Sequence, residues 1–138
     1  MSREIFGSLE EVELPQFGVT LLAKIDTGAW SGALHCTDIY EKDGKLYFTP
    51  IGDPAYATSV TEFEQRRARS ASGHVSERFI VPVKIVIKGK VYDTTIGITD
   101  RSDMQREMLL GRKFLIENDI LVDVALTLDD DHEAERFL

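Results

Sequence analysis

The sequence predicts an all-β domain, a barrel or sandwich, with one short helix late in the chain. Three observations predict it. Short apolar runs rich in β-branched and aromatic residues recur along the chain. Turn signals such as Asp43-Gly44 and Lys88-Gly89-Lys90 separate them at hairpin spacing. Only one stretch, Arg112 to Glu117, reads as helix, and it comes directly after Met108-Leu109-Leu110-Gly111.

The elements are taken in chain order. Residues 3–13 mix polar residues with Ile5, Phe6, Leu9 and Val12, which reads as an extended strand or a short irregular segment before Pro15 and Gly18. Val19 to Ile25 is a clear strand. Ala33 to Tyr40 and Lys45 to Pro50 form a hairpin across Asp43-Gly44. Residues 51–64 are the least readable, with a loop at Gly52-Asp53-Pro54. Phe79 to Ile87 is a strong strand, and Pro82 puts it at an edge or bulge because proline cannot donate to a ladder. Val91 to Thr99 is its partner. Ile120 to Leu128 reads as the last strand, and the acidic tail beyond is expected to fray. No repeat or linker divides the chain, so residues 1–138 read as a single domain.

Composition narrows the function classes. A net charge of -8 opposes nucleic-acid binding through phosphate repulsion. No apolar run approaches the roughly 20 residues that span a bilayer. The N-terminus lacks the apolar core of a secretory signal. The single cysteine, Cys36, excludes an internal disulfide. A cytoplasmic, reducing setting is therefore expected. Charge is uneven: Arg66, Arg67, Arg69 and Arg78 cluster, while Asp129 to Leu138 is strongly acidic. The cluster suits an acidic ligand, although a solvated basic loop has the same composition.

The chemistry centres on Ala23-Lys24-Ile25-Asp26-Thr27-Gly28-Ala29. An apolar strand delivers one carboxylate into a tight Thr-Gly turn. Gly28, with no Cβ, lets the backbone fold closely round Asp26. Asp26-Thr27-Gly28 alone is also a common surface turn. Its pairing with the later Leu109-Leu110-Gly111-Arg112-Lys113-Phe114-Leu115 is far more specific.

Together these two motifs resemble the retropepsin half of the aspartic peptidase fold. Ser31, Ala33-Leu34-His35, Ser72-Gly73, Glu77-Arg78, Thr99-Asp100-Arg101-Ser102 and Met108 to Arg112 extend the likeness. The set is similar to a bacterial and archaeal family named as ATP-dependent zinc proteases. That family is often encoded beside, or fused to, an ATP-grasp ligase that adds glutamates to a ribosomal protein. The resemblance covers roughly residues 14 to 124. It implies a retropepsin-like closed barrel with one short helix after Leu-Leu-Gly-Arg, and an aspartic peptidase acting on a glutamate-rich tail.

One carboxylate cannot run this reaction in its usual form, in which two share a proton. The resemblance implies a homodimer, each chain supplying Asp26. Thr27 would bond across the interface, and Gly28 permits close approach. The acidic tails would repel, so interleaved termini are a poor fit. Ala29 lacks the hydroxyl that would favour an ionised dyad, so activity nearer neutral pH is expected. A flap is expected in residues 66–78, with Ser70-Ala71-Ser72-Gly73 as its mobile part. Arg78, Arg69, Arg101 and Ala29 are the candidates for substrate binding, the arginines through bidentate contacts to side-chain carboxylates. His35, Gly111 and Arg112 support the site.

The zinc and ATP in the family's name find no match in the residues. Zinc needs about three protein ligands. Neither a His-Glu-x-x-His spacing nor a phosphate-binding Gly-rich loop is present, and adjacent His35 and Cys36 should point to opposite faces of a strand. No cofactor is expected. Trp30 is expected in loop packing or an interface, and Asp123 as a buried, paired carboxylate. Two rivals stand beside the peptidase: a non-catalytic module that binds acidic peptides or regulates the ligase, and a zinc-dependent peptidase.

Overall fold

A computed structural model describes residues 3–69, 73, 75–102 and 105–126, at 68, 69 and 75–77 by the backbone alone. The strands in chain order are β1 (Glu4–Phe6), β2 (Leu9–Leu14), β3 (Val19–Ile25), β4 (Ala33–Lys42), β5 (Lys45–Pro50), β6 (Thr58–Val60), β7 (Glu64–Arg69), β8 (Val75–Ile87), β9 (Lys90–Thr99), β10 (Met108–Leu110) and β11 (Ile120–Val122). A 3-10 turn covers Pro54–Tyr56, and the helix α1 spans Arg112–Glu117. The start, expected as an extended strand or a short irregular segment, is two strands. Gly7 breaks them, and its missing Cβ leaves room for the Leu126 carbonyl. The segment 51–64, unreadable in sequence, holds the 3-10 turn and β6, which adds to β5.

Six strands close into a barrel in the order β10-β3-β2-β8-β9-β4, with β4 returning to β10. Closure removes the open edges a sheet would otherwise present. The core follows the two-residue period of the strands: Val12 and Leu14, Val81, Val83, Ile85 and Ile87, Ile96 and Ile98 all point inward and are buried. Phe6, Tyr92 and Phe114 form an aromatic cluster at one end of the barrel.

The tight turns use left-handed backbone where expected. Asp43-Gly44 and Lys88-Gly89 each place two residues at positive φ, the geometry that matches the twist of a two-residue hairpin. Pro82 lies where β8 changes partner. On the flank away from β9, β8 pairs with β7 as far as Ile80 and with β2 at Val86. The missing N–H of Pro82 therefore falls between two ladders. Beyond Ile80, β7 and β8 project as an arm. Of the stretch Ser70-Ala71-Ser72-Gly73, expected as the mobile part of a flap, Gly73 alone is among the described residues.

The last strand is shorter than its apolar run suggests. β11 pairs with β1 in parallel and ends at Val122. Asp123 then turns the chain, its carboxylate accepting the Ala125 N–H at 2.9 Å. Asp123 is exposed, not buried and paired as expected, because it caps this turn instead of continuing the strand. Residues 127–138, including the acidic tail, lie outside the described residues.

Candidate active site

β10 inserts between β3 and β4, parallel to the first and antiparallel to the second. The loop joining β3 to β4, residues 26–32, must therefore cross the end of β10. This topology forces the two sequence motifs together. Asp26 caps the tip of β3, its N–H donating to the Leu110 carbonyl at 2.8 Å. The Gly28 N–H donates to Asp26 Oδ1 at 3.0 Å, and the Ala29 N–H to the Asp26 carbonyl at 3.3 Å. Any Cβ on residue 28 would stand 3.2 Å from Asp26 Oδ1. The turn holds the half-buried carboxylate in one orientation, as the motif requires.

The loop is locked from beneath by the start of α1. The Arg112 N–H donates to the Ala29 carbonyl at 2.8 Å, and the Lys113 N–H to the Trp30 carbonyl at 3.0 Å. These are first-turn donors that no helical carbonyl can satisfy. Gly111 is obligatory here, since a Cβ would sit 2.5 Å from the Trp30 oxygen and 2.9 Å from the Ala29 oxygen. The Arg112 guanidinium donates to the Thr27 carbonyl at 3.0 Å and lies 5.9 Å from the centroid of the Trp30 ring. Trp30 is 55% exposed, so it packs on one side alone. Thr27 is exposed at the loop surface.

Beside this loop lies a cleft of about 730 Å³ between the β7–β8 arm, β9 and the loop wall. Ala29 and Trp30 line it, whereas Asp26 does not. Of the expected substrate-binding residues, Arg78 and Arg101 both face it, and Ala29 forms its wall. The side chain of Arg69 lies outside the described residues. The register that pairs Arg66 with Arg78 brings a further arginine to the same cleft. Glu64 holds Arg66 at 2.8 Å, which leaves that cation partly neutralised. Lys113 also lines the cleft, and sequence reasoning missed it. The signal was available: neighbours on a helix diverge by about 100°, so if Arg112 grips the loop, Lys113 must face elsewhere.

His35, expected to support the site, lies against the backbone of Arg101. Its Nδ1 accepts the Arg101 N–H at 3.0 Å, with the Asp100 carboxylate 3.9 Å away. Cys36 points to the opposite face and is fully buried, and burial pushes its thiol up to about 12. Among the described residues no three His, Cys, Asp or Glu side chains group closely enough to hold a metal ion. His74 and His132 lie outside the described residues. No described helix is long and apolar enough to cross a membrane.

A closed six-stranded barrel whose Asp-Thr-Gly loop is crossed by a Leu-Leu-Gly-Arg segment is a retropepsin-like fold. The chain belongs to the RimB-like family, described as retropepsin-like aspartic endopeptidase RimB, which matches residues 5–132. A crystal structure of protein Lpg0085, of unknown function (DUF785), from Legionella pneumophila subsp. pneumophila str. Philadelphia 1 is similar. It has a TM-score of 0.71 and 32% identity, over 93% of this chain and 98% of that one. A probable alpha-L-glutamate ligase from Desulfotalea psychrophila is 25% identical over 91% of this chain and 29% of its own length. Another with that description, from Shewanella halifaxensis, is 27% identical over 86% and 28%. The chain thus spans less than a third of the length of these curated relatives.

Proposed function

We propose that the chain is one half of a homodimeric aspartic peptidase that cuts peptide bonds in an acidic, glutamate-rich tail. The observation that carries this reading is the cleft beside the Asp26 loop, whose lining sets Arg66, Arg78, Arg101 and Lys113 against Glu62 and Glu64, with Glu64 engaged by Arg66. Guanidinium and ammonium groups there suit side-chain carboxylates, which they bind by charge-assisted hydrogen bonds.

The chemistry needs two Asp26 carboxylates sharing one proton. The ionised one takes a proton from water, and the water oxygen attacks the scissile carbonyl carbon. The protonated one gives its proton to the carbonyl oxygen. Collapse of the tetrahedral species breaks the C–N bond, with a proton passing to the leaving nitrogen. Gly28 keeps each carboxylate aimed, and the Arg112 and Gly111 lock keeps the loop in place. An ATP-dependent α-glutamate ligase is the proposed supplier of the substrate and a proposed partner, because the relatives named as such ligases carry this region within their own chains.

One observation favours a second reading. Asp26 does not itself line the cationic cleft, as a module that only binds acidic peptides would allow. Glutamate release from a glutamate-tailed peptide separates the two. The peptidase reading expects release by the wild-type protein and none above background by Asp26→Asn. The binding module expects neither to release glutamate, with equal peptide affinity in both.

A further inference from the structure

Alternation along β7 puts Glu64 and Arg66 on one face of the arm, and both line the cleft. The Arg66 guanidinium grips the Glu64 carboxylate with two donors, Nε at 3.2 Å and Nη2 at 2.8 Å. The antiparallel register sets Arg78 of β8 directly opposite Arg66, and Arg78 lines the same cleft. Like charges directly opposite on a ladder repel, which costs stability unless an anion lies between them. Glu64 supplies that anion to Arg66. Among the described residues no ion pair engages Arg78. The Glu64–Arg66 pair is open to water, with the two side chains 64% and 63% exposed. Exposed pairs of this kind are weak, so the guanidinium can change partners at little cost.

We propose that Glu64 is a built-in stand-in for a substrate carboxylate: it occupies Arg66 in the empty cleft and yields it to an incoming acidic side chain, which Arg66 and Arg78 then hold together. The inference rests on the reading that the cleft receives acidic peptides, and it adds the subsite and the source of its selectivity. A substrate carboxylate that replaces Glu64 exchanges one guanidinium contact for another and gains Arg78 besides. A neutral side chain brings no charge to that exchange, so Glu64 stays in place. The subsite therefore admits acidic side chains and turns neutral ones away, with Glu64 as the competitor that each ligand must displace.

The test measures peptide affinity, not turnover. The full chain carrying Asp26→Asn is titrated with a glutamate-tailed peptide by calorimetry at low salt, where exposed charges are least screened. Adding Glu64→Gln frees Arg66 and is expected to lower Kd about 2–5-fold. In an Arg66→Gln background the same change should bring no gain, because the cation it frees is gone. Glu62→Gln is the comparison. It removes a charge from the same lining but outside that pair, so any gain it brings should persist without Arg66. A Kd that Glu64→Gln leaves unchanged or raises means that Glu64 does not compete with substrate, and overturns the inference. A gain that persists in the Arg66→Gln background reduces Glu64 to its charge alone and overturns it as well. If no variant binds the peptide, the acidic-peptide reading fails and this inference falls with it. If binding follows the expected pattern while the protein with Asp26 intact releases no glutamate, the peptidase reading alone fails.

Discussion

The Arg112 guanidinium holds the Thr27 carbonyl at 3.0 Å, so the helix after β10 grips the loop that carries Asp26. The same side chain lies over the exposed Trp30 ring, 5.9 Å from its centroid. Arg112→Ala removes a charge-assisted hydrogen bond and a cation–π contact at a surface site. A loss of about 1–2 kcal/mol is expected in urea unfolding. Arg112→Lys should recover part of it, because an ammonium keeps the charge but lacks the guanidinium's fixed fork of donors. The proposed peptidase activity should fall more than stability does, since the loop is what positions the carboxylate.

Gly111→Ala tests how closely the two motifs are packed. The new Cβ meets backbone carbonyls of Ala29 and Trp30 that no rotamer change can move aside. A cost of at least about 2 kcal/mol is expected. Thermal or urea unfolding measures it, with Gly18→Ala as comparison. At Gly18 the space is open and only a positive φ is strained, so its cost should be about 1 kcal/mol.

Cleft charge should govern substrate affinity. Arg78→Gln and Arg101→Gln are each expected to raise KM for a glutamate-tailed peptide by roughly 3–10-fold with kcat little changed, as exposed ion pairs of modest worth imply. Lys113→Gln should act in the same direction. His35→Phe removes the acceptor for the Arg101 main-chain N–H, and its effect on KM should be smaller in an Arg101→Gln background than alone, since that bond would act on affinity by placing the Arg101 side chain.

Alkaline pH should weaken the fold. Burial raises the thiol of Cys36 from 9.0 to about 12 and also raises the Tyr92 phenol. Both groups are acids whose neutral form the fold prefers, so the folded state holds more protons than the unfolded one above about pH 9. Stability is full below that pH and falls as pH rises toward 12. The Tyr92 hydroxyl is buried without a hydrogen-bond partner among the described residues. Tyr92→Phe should therefore stabilise by about 1 kcal/mol near neutral pH and flatten the alkaline decline. Urea midpoints across the alkaline range measure both effects.

Much of the fold was legible in the sequence for specific reasons. Strands β3, β4, β5, β8 and β9 carry enough β-branched and alternating residues to announce themselves, and the Asp43-Gly44 and Lys88-Gly89 turns fix two hairpins. Asp26, Gly28, Gly111 and Arg112 were visible because the chemistry and the close backbone crossing admit few other residue types. The hidden features depend on distant pairing. The split between β1 and β2 reflects the Leu126 carbonyl packing on Gly7, more than a hundred residues away in the chain. The exposure of Asp123 arises from a turn that interrupts an apolar run. The place of Lys113 in the cleft is set by the direction α1 takes after crossing under the loop. The role of Glu64 in tempering Arg66 needs the arm to be built first.

The central claim is that two chains each give one Asp26 to a shared site, and subunit mixing tests it most directly. Wild-type and Asp26→Asn proteins are unfolded together in equal amounts, refolded, and assayed on a glutamate-tailed peptide. A two-fold site needs both carboxylates, so activity should fall to about a quarter of that of the same total amount of wild-type protein, following the square of the wild-type fraction. Activity near one half, proportional to the wild-type fraction, would mean that each chain works alone and would contradict the shared dyad.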